Sequence, residues 1–253
     1  MTALDLQWLR SSLPDRLIHW HLTIDSTMCE ASRLAATGCP SGTIVCAEEQ
    51  SAGQGRYGRP WHSESGSGLY VSIILRYRFG PSTLPLVTLA LGLATSEAIL
   101  RLTNLACDLR WPNDVLIQSR KCAGILTQLE GSAIIAGIGI NVNHSEFPRE
   151  LAEIAISLQL ASHRTHSREQ LLVELAASVD RFCALLEEEG REPILEMFSR
   201  ASSFVHGRRV SVDQGHSRLQ GITAGLNSSG FLILQGDDGT KNVILAGGVR
   251  PCS

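Results

Sequence analysis

Residues 53–68 read GQGRYGRPWHSESGSG, and they follow Thr43 to Gln50, an apolar run of strand character. Gly53, Gly55 and Gly58 fit the G-x-G-x-x-G spacing that opens a dinucleotide-binding fold. That fold needs the glycines to lead into a helix whose N-terminus faces a pyrophosphate. Here Arg59-Pro60-Trp61-His62-Ser63 and more glycines come next, and then a second apolar strand from Leu69 to Arg76. The stretch therefore predicts a glycine-rich loop joining two strands, which turns the fold away from a doubly wound sheet. Closely spaced glycines still let backbone N–H groups converge on an anion. Arg56 and Arg59 add forked donors for phosphate or carboxylate oxygens. Taken alone, the loop reads equally as a surface hairpin with solvated arginines.

Upstream of the loop, Ala3 to Leu13 reads as a short helix and Arg16 to Leu22 alternates like a strand. Asp25-Ser26-Thr27 precedes a helical stretch from Met28 to Thr37, which Gly38 ends. Downstream, Ser82 is placed to cap a long helix running to Asn104, with Pro85 tolerated in its first turn. The apolar run inside it, Leu84 to Leu102, is interrupted by Thr88, Glu97 and Arg101, so it predicts a buried helix and not a membrane span. Strands are expected at Asp108–Trp111, Val115–Gln118, Lys121–Glu130 and Ala133–Asn141, with a turn at Ser119-Arg120. Segments 168–189 and 191–203 read as helices, the first with Leu171, Leu172, Leu175, Val179, Phe182 and Leu186 on one face. From Phe204 onward, short alternating strands are separated by Asn227-Ser228-Ser229-Gly230 and Gly236-Asp237-Asp238-Gly239. The expected organisation is α+β, with a catalytic domain over 1–203 and a small β-barrel over 204–253. A barrel that small buries little apolar area of its own and is expected to lean on its neighbour.

The 253 residues are 43% hydrophobic with a net charge of −3. That excludes general disorder and offers no basic bias for a nucleic-acid duplex. The seven cysteines are scattered and contain no CxxC pair. They suggest free, mostly buried thiols in a reducing cytosol and no metal cluster. The first residues lack the pattern of a signal peptide, which agrees with a cytoplasmic protein. Among 22 basic residues only Lys121 and Lys241 are lysines. Where lysine is this scarce, Lys121, at the head of the apolar run KCAGIL (121–126), suggests a need for a compact ammonium. It also reads as a solvated strand start, and Lys241 keeps that reading open. RWPND (110–114) is a stiff turn that can aim Asn113 and Asp114 into a site, or an ordinary Pro-Asn-Asp turn. GIGIN (137–141) leaves room over a strand for a flat ligand and ends in Asn141, a donor and acceptor, or it is a tight core strand.

In this order, GQGRYGR with Trp61, RWPND, KCAGIL, GIGIN and the early Asp25-Ser26-Thr27 resemble the biotin–protein ligases. The resemblance covers roughly residues 17–145. It implies a class II aminoacyl-tRNA-synthetase-like catalytic domain with a C-terminal SH3-like β domain. It also implies ATP and Mg²⁺, with biotin as substrate and a biotin carboxyl carrier protein as acceptor. The biotin carboxylate would attack the α-phosphate, and an acceptor lysine would then displace AMP from biotinyl-5′-AMP. By resemblance, Ser26, Thr27 and Gln50 hold the ureido ring, and Gly53, Gln54, Gly124 and Gly139 complete the biotin site. Arg56, Arg59, Trp61, Asn113 and Asn141 serve ATP and the adenylate. Lys121, with Arg56, stabilises charge at the acyl–phosphate junction, and Asp114 orients or deprotonates the incoming lysine or supports the Mg²⁺–ATP step. The Mg²⁺ ligands stay unassigned. Gln54 stands where the family commonly has Arg, and Arg110 where Lys is usual.

About two dozen residues precede Asp25, too few for the winged helix-turn-helix of family members that repress transcription, so no nucleic-acid role is expected, and the interrupted Leu84–Leu102 run gives no expectation of a membrane role. The chain is expected to be a monomer or a homodimer. The alternative reading is a lipoate or octanoate ligase or transferase of the same superfamily. Such enzymes carry an R-R-x-S-G-G-G type motif, which does not occur in this sequence. A non-catalytic biotin sensor would tolerate loss of Lys121 or Asp114, and both are present.

Overall fold

The computed structural model describes residues 3–78, 80–213 and 218–252. A seven-stranded sheet forms from β1 (Ile18–Ile24), β2 (Ile44–Gln50), β3 (Gly68–Leu75), β4 (Asp108–Arg110), β5 (Asp114–Ile117), β6 (Arg120–Glu130) and β7 (Ala133–Asn141). Its order is β1-β2-β3-β7-β6-β5-β4. Every neighbouring pair is antiparallel except β1 and β2, which run parallel with α2 (Thr27–Ala36) connecting them. The strand, helix and strand expected over residues 16–50 are all present, and their pairing direction is what the structure adds. The bounds of β7 agree with expectation, and α1 (Leu6–Ser12) is shorter than expected because the Asp5 side chain caps it through the Trp8 N–H.

All eight residues of β3 are buried, so helices cover both faces of the sheet there. On one face lie α3 (Leu84–Thr103), α5 (Arg168–Glu188) and α6 (Arg191–Arg200), packed into the main core. The apolar helix α3 is thus a core helix against α5 and β6. Ser82 does not cap it. Ser82 falls in a 3-10 turn, Pro81–Thr83, that runs on into α3 with helical backbone at Thr83, and an extended capping residue has no place in that path. On the other face α2 buries Met28, Ala31 and Ala35 against Val45, Ile74, Ala133 and Ile135. Further along the same face of β7, alternation presents Gly137, whose missing side chain makes room for Met28 of α2, and then Gly139 and Asn141. A short helix, α4 (Leu158–Ser162), follows β7 and was not expected.

The tail forms a five-stranded antiparallel sheet, β8 (His206–Asp213), β9 (Arg218–Leu226), β10 (Leu232–Gln235), β11 (Lys241–Ile244) and β12 (Gly248–Pro251), in the order β11-β10-β9-β8-β12. It leans on the larger sheet as expected: Val210, Val212, Leu232, Leu234 and Val249 join the same apolar cluster as Leu86 and Leu89 of α3. The Trp111 indole donates to the Gly230 carbonyl at 2.9 Å and so ties the RWPND turn to this sheet. All seven cysteines are free, but only Cys46, Cys122 and Cys183 are fully buried, fewer than the sequence suggested.

Candidate active site

Gly124 of β6 and Gly139 of β7 are direct cross-strand partners. A Cβ at Gly139 would lie 2.5 Å from the Trp61 indole, and one at Gly124 would lie 2.9 Å from both Trp61 and the Lys121 ammonium. Only glycine lets that indole and that amine rest on the sheet. The Trp61 N–H is buried there with no hydrogen-bond partner among the described residues.

Lys121 owes its place to an irregularity. It is three residues before Gly124, which in a regular strand would put the two on opposite faces. Val115 pairs with Ala123 and Leu116 with Lys121, so a β-bulge resets the alternation and brings Lys121 onto the glycine face. The Lys121 backbone then bonds to the segment before α4, through Ile154 and Ile156. Its ammonium lies 2.5 Å from Asp114 Oδ1 and 5.2 Å from the centre of the Trp61 ring. Asp114 accepts a second ion pair from Arg110 at 2.6 Å. Burial raises the Asp114 pKa, but the Lys121 and Arg110 charges outweigh it and hold the carboxyl below its usual range. A carboxylate so held is a poor base, and its two ion pairs suit it to orient Lys121.

At the inner end, the Gln50 carboxamide oxygen accepts from the Thr27 N–H at 2.9 Å and the Thr27 hydroxyl at 3.1 Å. The Gln50 amide donates to Ser63 at 3.1 Å, and Ser72 donates to Thr27 at 2.9 Å. Ser26 occupies the N-cap position of α2, yet its side chain makes no capping bond, so the helix-cap role open in the sequence does not absorb it. Gly53 sits tight against Ser63, Trp61 and Gln50 at the base of the loop and does not line the pocket. The loop is a narrow hairpin, with Gln54 bridging Pro60 and a single 3-10 turn at Arg56–Gly58 instead of a helix. Arg56 reaches the Asn113 carboxamide oxygen and the Gly247 carbonyl, each at 3.4 Å.

Two cavities result. The inner one is lined by Ser26, Thr27, Gln50, Gln54, Arg56, Lys121, Gly124 and Gly139, among others, and its free space is about 50 Å³ with the indole in place. The outer one is about 280 Å³ and is lined by Arg56, Arg59, Trp61, Asn113, Asp114, Lys121 and Asn141, with Arg110, His62 and Phe147. Gly55, Arg56, Trp61, Asn113 and Lys121 belong to both. Asn141 is nearly buried, and its amide nitrogen approaches the Lys121 and Ile156 carbonyls at 3.4 and 3.3 Å, so much of its donor capacity goes to backbone.

The sequence profile of the biotin/lipoate A/B protein ligase family matches residues 21–145. The chain is 30% identical over 245 residues to the bifunctional ligase/repressor BirA of Bacillus subtilis, covering 94% of this chain and 75% of that protein. The chain belongs to the biotin/lipoate A/B protein ligase family. It is also 32% identical over 232 residues to the biotin–[acetyl-CoA-carboxylase] ligase of Paracoccus denitrificans, covering 86% of this chain and 93% of that protein. The solved structure of the biotin protein ligase from Aquifex aeolicus in complex with biotin and ATP shares the fold, with a TM-score of 0.82 at 30% identity, covering 93% of this chain and 99% of that one.

Within this family member, some of the outer wall escaped sequence reasoning. Leu151, Ile154 and Ala155, before α4, and Gly248, Val249 and Arg250 of β12 line the outer cavity without any motif to mark them. The apolar residues at 151, 154 and 155 were visible, but nothing local says that this segment pairs with Lys121.

Proposed function

We propose that this chain ligates biotin to a lysine of a carboxylase's biotin carrier domain, through biotinyl-5′-AMP. The carrying observation is that Lys121 and Arg56 stand in the wall common to both cavities. The inner cavity is suited to biotin. Its polar end, Ser26, Thr27 and Gln50, offers hydroxyl and amide groups to a ureido ring, and its glycine floor accepts a flat bicycle. The outer cavity takes ATP, with Arg56, Arg59 and Arg110 facing the phosphates and Trp61 and Phe147 available to an aromatic base.

The biotin carboxylate attacks the α-phosphorus and pyrophosphate leaves. Lys121 and Arg56 stabilise the charge that grows on the oxygens between the two ligands, which is electrostatic catalysis. In the second step the acceptor lysine attacks the acyl carbon of the mixed anhydride and AMP departs. Asp114 acts by holding Lys121 in position. Mg²⁺ would neutralise the triphosphate. Asp114, the only carboxylate among the described residues of the outer wall, is already engaged by Lys121 and Arg110, so the ion would be held chiefly by phosphate oxygens and water.

We read residues 1–203 as a class II aminoacyl-tRNA-synthetase-like catalytic unit and 204–253 as an SH3-like unit. The separate five-stranded sheet supports that division. The experiment is biotin-dependent exchange of labelled pyrophosphate into ATP, followed by transfer to a biotin carrier domain. Exchange is expected with biotin. Exchange with lipoate alone would move the assignment to the lipoate branch, and exchange with neither acid would overturn it.

A further inference from the structure

Beside the outer cavity lies a group of side chains that the ligation chemistry does not use. His62 and Glu64 sit on the segment leaving the glycine–arginine loop, and His144 sits three residues beyond β7. One potential ligand atom from each lies within 4.8 Å of the other two. His144 is 0% exposed, and its Nδ1 has no hydrogen-bond partner among the described residues. A buried polar nitrogen without a partner calls for an explanation.

The shorter of the two hydrogen bonds made by the Tyr70 hydroxyl favours one tautomer of His144. The Tyr70 hydroxyl has one proton, and it donates that proton to the Glu64 carbonyl at 3.0 Å. The 3.3 Å contact between the Tyr70 oxygen and His144 Nε2 is then donated by the imidazole. Nε2 carries the ring hydrogen, so Nδ1 keeps a bare lone pair. That is the state of a metal-ligating histidine, whose other nitrogen donates to a fixed acceptor. Phe147 stacks on His144 with ring centres 5.0 Å apart and meets His62 edge-on, an apolar wall on one side of the group.

We propose that His62, Glu64 and Nδ1 of His144 form a binding site for one divalent transition-metal ion, Zn²⁺ foremost. Two imidazoles and a carboxylate suit Zn²⁺, whereas Mg²⁺ selects oxygen donors. Zinc bonds of about 2.0–2.2 Å hold tetrahedral ligand atoms about 3.3 Å apart, so the three must draw in by roughly 1 Å. Rotation of the exposed Glu64 and half-buried His62 supplies that movement. Three protein ligands leave the fourth position open, and one of them, His62, also lines the outer cavity. The bound ion ties the outgoing stem of the loop to the end of β7, and so couples metal occupancy to the order of residues 53–64.

The test uses the whole chain, stripped with a chelator and titrated with Zn²⁺ and, separately, with Co²⁺. One equivalent should bind, with visible cobalt bands of nitrogen and oxygen ligation and no thiolate charge-transfer band from the free cysteines. Excess Mg²⁺ should not displace it. Amide exchange over residues 53–64 should slow about tenfold on Zn²⁺ addition. His62→Ala and Glu64→Gln, both on a surface segment and checked for fold by circular dichroism, should each weaken binding by about a hundredfold, the upper end of what loss of a ligand-supporting partner costs. Unchanged affinity in both variants, or a spectrum with thiolate bands, would overturn the site.

Discussion

Lys121 has a carboxylate at 2.5 Å, an aromatic face at 5.2 Å and a glycine beneath it. Its amine is fixed in space before any substrate arrives, which is the condition for electrostatic catalysis to operate without reorganisation. Lys121→Met should therefore cut biotin-dependent pyrophosphate exchange by about a hundredfold or more while the fold persists. Near-normal exchange would remove Lys121 from the mechanism. Asp114 supplies a second check at this scale. Its folded pKa lies below the ordinary carboxylate value, so what its ion pairs contribute is fully present above that value and is lost only as pH falls through the lowered one. Between about pH 5 and 8 the carboxylate does not titrate, so the exchange rate should show no limb belonging to it there. In Lys121→Met, with its leading favourable charge gone, the Asp114 pKa should rise. Carbon-13 titration of the carboxyl would record both.

At the scale of elements, the run from β6 to β7 was legible because its signals are local: apolar alternation, a turn, and glycines at fixed places. The glycine–arginine loop was legible for the same reason, since no helix follows it. What was not legible depends on partners distant in sequence. The bulge opposite Val115 exists because β5 and the segment before α4 both bind the strand around Lys121. The parallel pairing of β1 with β2, the capping of α3 and the contribution of β12 to the outer cavity are likewise tertiary choices. Of the candidate residues, only Gly53 lies outside both cavities, and it still shapes them by its closeness to Gln50 and Ser63. The pairing of Gly124 with Gly139 makes a sharp prediction. In Gly139→Ala the new methyl would meet the indole of Trp61, a ring and not a flexible tip. Overpacking of this kind costs about 1–3 kcal/mol. Biotin affinity should fall about tenfold, since 1.4 kcal/mol is a factor of ten, as calorimetric titration would show. Unaltered affinity would mean that the indole does not lie over the floor.

Over the whole molecule, one buried ion pair joins parts far apart in the chain. Arg168 at the start of α5 meets Glu48 of β2 at 2.7 Å, and Glu48 also accepts from the Leu4 N–H at 2.7 Å and the Trp20 indole at 3.3 Å. Arg168 reaches the Gly68 carbonyl at 3.2 Å as well. Removing one partner leaves the other charge buried alone, at a cost of about 3–5 kcal/mol. Arg168→Met should lower stability by that amount in urea unfolding, and a loss below about 1 kcal/mol would show that water reaches Glu48. The economy of lysine has its own consequence at this scale. An acyl adenylate that escapes an enzyme acylates nearby amines, and this chain presents few. The side-chain amine at position 121 is clasped by a carboxylate, and the other, at position 241, lies exposed on β11. Stray self-labelling of side chains during turnover should accordingly collect on a single peptide, and a molecule built with arginine almost everywhere else is nearly blind to its own reactive product.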